Sequence, residues 1–310
     1  MLSKTIDVVI AHEGLGCRSP RNPSPEFLQY LRRQGCLYVE KMLVKELKYK
    51  LYQALHQTGI RVVVRAEILP DGPKDHPTRD IYVYYPSLYG GMRNSRGIVK
   101  IRCSFLGQAL CPTDSHQQDL LSYYTGTEKA RLTSEGFKVR SISAMQCLLE
   151  KMLLLHELYR MEEPAFNKIT GTARHLYDIV QLFELVSATT NKMDQSLLNR
   201  LRRHRNEWYN VPTTIIRGCT LKKLCFIPPL NLLGPLMDDY RKLRREVIFD
   251  HRWEFPILVG KIQQINERLN GTRWRKLREQ PSNPAASPAL TTKAKEVNIA
   301  PVTHMVHIEV

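Results

Sequence analysis

The stretch SAMQCLLEKMLLLHELYRM, residues 143–161, decides the organisation of this chain, because it marks the change from β-rich to helical patterning. Its apolar residues recur every three or four positions, which is typical of a helix with one buried face. A single cation, Lys151, lies near the middle of the run. Similar periodicity predicts four further helices, beginning with ARHLYDIVQLFELV at 173–186 and continuing near 194–209, 235–248 and 255–269.

The part of the chain before residue 143 combines one long helix with several strands. Residues 25–57 carry apolar positions at helical spacing, and Gly59 is a plausible C-terminal stop. Alternating or β-branched stretches predict strands, which fall at 1–10, 60–68, 81–85 and 98–105. The sequence therefore predicts an α+β fold, divided into an α/β domain at 1–140, a helical domain at 141–278 and a disordered tail at 279–310.

The charge of the chain indicates the kind of partner rather than the fold. Its 310 residues carry a net charge of +16, and two basic clusters are predicted to bind RNA: Arg241, Arg244 and Arg245, and Arg273, Arg275 and Lys276. The alternative is that these are solvated helix faces of a generally basic protein, and the sequence leaves both open. No apolar run is long enough to cross a bilayer, so no membrane partner and a cytoplasmic location are expected.

The seven cysteines are an odd number and form no CxxC pair, so reduced thiols, mostly in the core, are expected.

Seven short motifs follow one another in an order that is more specific than any of them alone. They are Asp7 in a strand with Gly-Leu-Gly after it, Tyr84-Tyr85-Pro86-Ser87-Leu88, Val99-Lys100-Ile101, LEKMLLLH at 149–156, ARHLYD at 173–178, His204-Arg205 with Trp208-Tyr209, and Asp239-Tyr240 with Phe255 and Ile265-Asn266. In this order they resemble the AbiEii/AbiGii-type nucleotidyltransferase toxins of type IV toxin–antitoxin systems.

The resemblance implies a polymerase-β-like nucleotidyltransferase mixed sheet followed by a C-terminal helical domain, so that residues 1–140 would be a partial nucleotidyltransferase α/β domain. It also implies transfer of a nucleotide from an NTP, with Mg²⁺, to tRNA or another target, and a cognate antitoxin as partner. By the same resemblance Asp7, Lys151 and Asp178 are catalytic, Asp7 binds metal, and Lys151, Arg174 and Lys100 bind the nucleotide. From spacing alone, Arg174 and Asp178 share one helix face and could equally form an exposed ion pair, and His156 is expected to be a packed or hydrogen-bonded residue.

The chemistry of nucleotide transfer sets a further expectation. Two carboxylates at i and i+2 of a strand lie on one face and bind Mg²⁺ with a third acid from a neighbouring strand. Here the first position is Thr5, only Asp7 remains, and Arg102 stands where the family has Glu. The glycine-rich entry expected before this strand is absent, so an N-terminal truncation is expected. Two interpretations therefore stay open: a nucleotidyltransferase toxin with doubtful activity, or a non-catalytic remnant that binds RNA or an antitoxin.

Overall fold

A mixed β-sheet and a set of helices make up the computed structural model of the protein, which describes residues 5–18, 20–67, 77–86, 97–117, 137–161, 169–190, 192–246, 253–270 and 306–308. The strands are β1 Thr5–Ile10, β2 Val63–Ala66, β3 Thr78–Tyr84, β4 Ile98–Ser104, β5 Pro112–Gln117, β6 Phe137–Ile142 and β7 Val306–Ile308. Their order is β2-β3-β4-β1-β7-β6-β5. Strand β1 runs parallel to β4, whereas β3 runs antiparallel to both β2 and β4. The predicted mixed sheet is confirmed, with β1 and β4 as neighbours.

The long predicted helix at 25–57 is present but interrupted. It consists of α1 Pro25–Tyr38, a π-helical turn at Val39–Leu43 and α2 Val44–Leu55, and a 3-10 turn at His56–Thr58 follows. Ser24 caps α1 by accepting a hydrogen bond from the Phe27 amide at 3.2 Å. Gly59 then ends the segment with a φ of 71°, a conformation that favours glycine. Val44 of α2 packs in the same core as Val8 and Ile10 of β1. Because side chains alternate along a strand, those of Val8 and Ile10 point toward the helix, and those of Asp7 and Val9 point away from it.

The helical part contains every helix predicted from the periodicity. Its helices are α3 Ala144–Arg160, α4 Ala173–Thr189, α5 Gln195–Tyr209, a short α6 Thr213–Ile216, α7 Leu233–Glu246 and α8 Phe255–Asn270. The side chain of Ser143 caps α3, and that of Asp194 caps α5. Helices α3, α4 and α8 share one large apolar core, to which Met152, Leu176 and Leu258 belong. None of the helices in the described part of the chain is long and apolar enough to cross a membrane.

Several features were not predicted from the sequence. Strands β5 and β6 are absent from the expected elements, and the π-helical turn was expected to be ordinary helix. Residues 306–308 form β7 within the stretch predicted to be a tail, and the remainder of 279–310 lies outside the described residues. All seven cysteines are free, and five of them are buried, which agrees with the expected positions in the core.

One close contact between α1 and the sheet generates a prediction about stability. A Cβ atom at Gly35 would lie 2.3 Å from Cδ1 of the fully buried Phe105 ring. We expect Gly35→Ala to lower the free energy of unfolding by about 1–3 kcal/mol through overpacking. This is expected even though alanine favours a helix by about 1 kcal/mol over glycine. Urea denaturation followed by circular dichroism measures the change.

The matched control lies in α8. A Cβ at Gly260 would meet no described heavy atom within 4 Å, so Gly260→Ala should keep or raise stability, by up to about 1 kcal/mol. Equal stability of the two alanine variants would contradict the packing argument.

Candidate functional site

Three charged residues lie side by side across three neighbouring strands. In the register of the sheet, Asp7 of β1 is opposite Arg102 of β4, and Arg102 is opposite Asp80 of β3. Because side chains alternate along a strand, this row lies on the sheet face away from α2. The Arg102 Nε donates a hydrogen bond to Asp80 Oδ1 at 3.2 Å, and the Arg102 side chain is 47% exposed. The arginine thus stands between two carboxylates and still faces solvent.

Lys100, the predicted nucleotide ligand on the sheet, belongs to the same charged face. Its Nζ forms an ion pair with Asp80 Oδ2 and lies 5.5 Å from the centre of the Tyr82 ring. Burial opposes the charge of Lys100, but Asp80 outweighs it and raises the pKa of this ammonium above its ordinary value. Both oxygens of the nearly buried Asp80 therefore interact with cations, one with Lys100 and the other with Arg102. Sequence reasoning missed Asp80, because its importance follows only from cross-strand register.

The two helices contribute a buried ion pair. Lys151 Nζ of α3 donates a hydrogen bond to Asp178 Oδ2 of α4 at 2.8 Å, and the two side chains are only 22% and 9% exposed. Burial opposes the ammonium charge, but the attraction and hydrogen bond of Asp178 prevail and raise the pKa of Lys151. This pair confirms that the helices holding Lys151 and Asp178 face the same site. Arg174, one turn before Asp178, is exposed.

Charged residues of both the sheet and the helices act on the carboxylate of Asp7. Burial raises the pKa of Asp7 above its ordinary value, and the charges of Arg102, Lys151 and Arg174 act in the opposite direction. Arg102 lies opposite Asp7 in the sheet, and the charges of Lys151 and Arg174 from α3 and α4 also act on this carboxylate. The structure thus brings together the site residues predicted on three distant segments, with Lys100 joined to them through Asp80.

Among the described residues, the carboxylates near Asp7 do not form the set expected for a magnesium site. A metal ion needs several oxygen ligands, yet no group of three or more His, Cys, Asp or Glu residues among those described could hold one. Each oxygen of Asp80 pairs with a cation, and Asp178 accepts from Lys151. A cation about 4 Å from a metal would also repel it by roughly 4 kcal/mol per unit charge at an effective dielectric of 20. What the arrangement can hold is an anion with several oxygens, such as a phosphate chain.

The predicted RNA-binding arginines lie on a different element. Arg241 and Arg244 of α7 form ion pairs with Asp238 and Glu254, whereas Arg245 is exposed. The second basic cluster, at 273–276, lies outside the described residues. The structure therefore gives no distance between the two basic clusters.

Other residues of the seven motifs position the site rather than line it. Asp239 caps the start of α4 by accepting hydrogen bonds from the amides of Gly171 at 2.8 Å and Ala173 at 2.9 Å. The ring of His156 contacts the Cys225 amide through Nδ1 and the Ile215 carbonyl through Nε2, which confirms its expected hydrogen-bonded role. These contacts fix the two helices that carry Lys151 and Asp178.

A mixed sheet with charged residues on its open face, followed by a helical domain, is the architecture of a nucleotidyltransferase with C-terminal helices. The family described as "Nucleotidyl transferase AbiEii toxin, Type IV TA system" matches residues 7–275, and the chain belongs to this family. The expected N-terminal truncation is not borne out by this match. Comparisons with curated proteins and with solved structures give no match.

The buried ion pair makes a prediction about stability. We expect Lys151→Met and Asp178→Leu each to lower the free energy of unfolding by about 3 kcal/mol or more, because each leaves the other charge buried without a partner. In the double variant, the free energy of unfolding should fall by clearly less than the sum of the two single decreases, since both charges are removed. A double-mutant cycle by urea denaturation measures the coupling.

An exposed pair supplies the control for this cycle. Arg241→Ala removes the partner of Asp238, and both side chains are more than half exposed, so it should change stability by less than about 1 kcal/mol. Strict additivity of the Lys151 and Asp178 substitutions would show that the pair is not coupled.

Proposed function

We propose that this protein binds the triphosphate of an NTP beside Asp7, through Arg102, Lys151 and Arg174. The observation that carries the proposal is the position of Arg102 directly opposite Asp7 in the sheet, together with the attraction of Lys151 and Arg174 for the same carboxylate. Phosphate oxygens accept charge-assisted hydrogen bonds from such groups, and arginine guanidinium groups suit them especially well. Lys100, held by Asp80, extends the same cationic surface along β4.

Each side chain has a distinct role in this proposal. Lys151 contacts the triphosphate, and Asp178 positions Lys151 through their 2.8 Å hydrogen bond. Arg174 and Lys100 contact the phosphates from the helical side and from the sheet. In the family's reaction, Mg²⁺ would neutralise the triphosphate while tRNA or another target accepts the nucleotide. Because Asp7 is the only carboxylate of the expected metal set at this place, we propose that the chain transfers nucleotides poorly.

A labelling experiment tests the catalytic part of the proposal. Purified protein is incubated with Mg²⁺, total tRNA and each α-labelled NTP in turn, beside an active nucleotidyltransferase as positive control. We expect labelling at or near background, because Thr5 and Arg102 stand at two of the three positions where carboxylates are expected to bind the metal. Clear labelling that disappears in Asp7→Ala would refute this and would mean that another carboxylate completes the site.

The second candidate function is non-catalytic binding of RNA or of an antitoxin in the cytoplasm. The net charge of +16 favours a polyanion over an uncharged partner. We propose that RNA phosphates contact the basic clusters, namely Arg241, Arg244, Arg245, Arg273, Arg275 and Lys276. Membership of a type IV toxin–antitoxin family supports a cognate antitoxin as a further partner.

The salt dependence of RNA binding tests this second candidate. Phosphate contacts release counterions, so the Kd for tRNA should rise by about tenfold or more between roughly 50 and 200 mM salt. Neutralising the six basic residues should weaken binding and flatten that response. The control neutralises Lys45 and Lys48, which are exposed on α2, and should leave binding nearly unchanged. A flat salt response of the unaltered protein would exclude binding through phosphates.

A further inference from the structure

The charges across β1, β4 and β3 differ from those of a metal site in one specific way. A cation, Arg102, stands in the middle of a row whose outer members are the carboxylates Asp7 and Asp80. We propose that Arg102 is a built-in cation that takes the place of the divalent metal, so that the site binds triphosphate without a divalent ion. This inference rests on the proposed nucleotide binding, and it goes further by naming the residue that makes binding independent of metal.

The register of the sheet supports this placement. Neighbouring strands lie about 4.8 Å apart, so the Cα atoms of Asp7 and Asp80 are separated by roughly 10 Å with the Arg102 strand between them. An ion bridging the two carboxylates would occupy the space that the arginine side chain enters. The arginine uses its Nε to bind Asp80, and guanidinium groups carry five N–H donors in all. Its remaining donors, on a side chain that is 47% exposed, are available to phosphate oxygens.

The sum of charges on this face points in the same direction. Asp7 and Asp80 contribute two negative charges, and Lys100 and Arg102 contribute two positive charges, so the four groups sum to zero. A divalent cation needs a net negative set of ligands, whereas an anionic phosphate chain does not. Exchanging Arg102 for glutamate would change the sum of the formal charges at these four positions from zero to −2. That single substitution should therefore turn a site for anions into a site for a cation.

Asp80 acts as a positioning residue in this arrangement. Its two oxygens hold Lys100 and Arg102 in fixed places, and its own side chain is only 10% exposed. Without the carboxylate, both cations lose the contact that orders them before the nucleotide arrives. Asp80→Asn should therefore weaken nucleotide binding without creating a metal site.

The test measures two quantities on the full-length protein. The affinity for ATP and GTP is measured by calorimetry in EDTA and again in Mg²⁺, and the binding of Mn²⁺ alone is measured by electron paramagnetic resonance. The unaltered protein should bind nucleotide within about threefold under both conditions and should not take up Mn²⁺. Arg102→Glu should lose at least about tenfold in nucleotide affinity in EDTA and should take up Mn²⁺, and adding Asp7→Asn should abolish that uptake.

A matched control separates this local effect from a general change of charge. Arg65 of β2 is exposed on the same face of the sheet, opposite Tyr82, and lies outside the row. Arg65→Glu makes the same change of two charge units, and we expect it to leave nucleotide affinity and Mn²⁺ uptake as they are in the unaltered protein.

The possible outcomes distinguish the inference from the function on which it rests. If no nucleotide binds under any condition, the proposed nucleotide binding fails, while Mn²⁺ uptake by Arg102→Glu alone still supports the place assigned to Arg102. Mn²⁺ uptake by the unaltered protein, or its absence in Arg102→Glu, would overturn the inference. So would full nucleotide affinity of Arg102→Glu in EDTA. Asp80→Asn serves as a second variant with weakened nucleotide binding and no uptake of Mn²⁺.

Discussion

Two opposite charges, Lys151 and Asp178, are held 2.8 Å apart between α3 and α4, at the edge of the largest apolar core of the molecule. Neither charge could be buried alone without a large desolvation cost, so each fixes the rotation of the other's helix. Because side chains three or four residues apart share a helix face, this also sets where Arg174 lies. The cap that Asp239 provides holds the start of α4 in turn. The electrostatics around Asp7 on the sheet depend on this arrangement of helices.

On the sheet, the main constraint is that successive side chains of a strand point to opposite faces. The residues that point away from α2 form charged rows, and those that point toward it form the apolar core with Ile81 and Val83. A substitution on the open face can therefore change the charge of the site without disturbing packing. Arg102, at a position where the family resemblance implies an acid, would be such a change, since its aliphatic stem needs no space in the core. The frame of a nucleotidyltransferase is thus compatible with a site of altered charge, as fold and activity are separable.

Much of this architecture could be predicted from local sequence patterns. Helices α3, α4, α5, α7 and α8 follow from apolar periodicity, and β1 and β4 follow from alternation, because these signals lie within a few residues. The π-helical turn at Val39–Leu43 carries no such signal, and β5 and β6 are paired through contacts distant in sequence. The same reason explains why Asp80 was missed: its link to Arg102 depends on the pairing of β3 with β4. The placement of Lys151 beside Asp178 came from family resemblance and not from spacing.

A phosphate chain that bridges the sheet and the helices also requires a fixed distance between them. That distance is supported by an aromatic contact, in which His12, just after β1, stacks on Trp208 of α5 with ring centres 4.9 Å apart. The ring of His204, one turn before Trp208 in α5, has its centre 5.6 Å from that of Trp208. Burial lowers the pKa of His12, and it lowers that of His204 to about 4, so both rings are neutral near pH 7. Since salt screens charges but not such neutral contacts, ionic strength should alter how strongly the site attracts phosphate while leaving this contact between β1 and α5 intact.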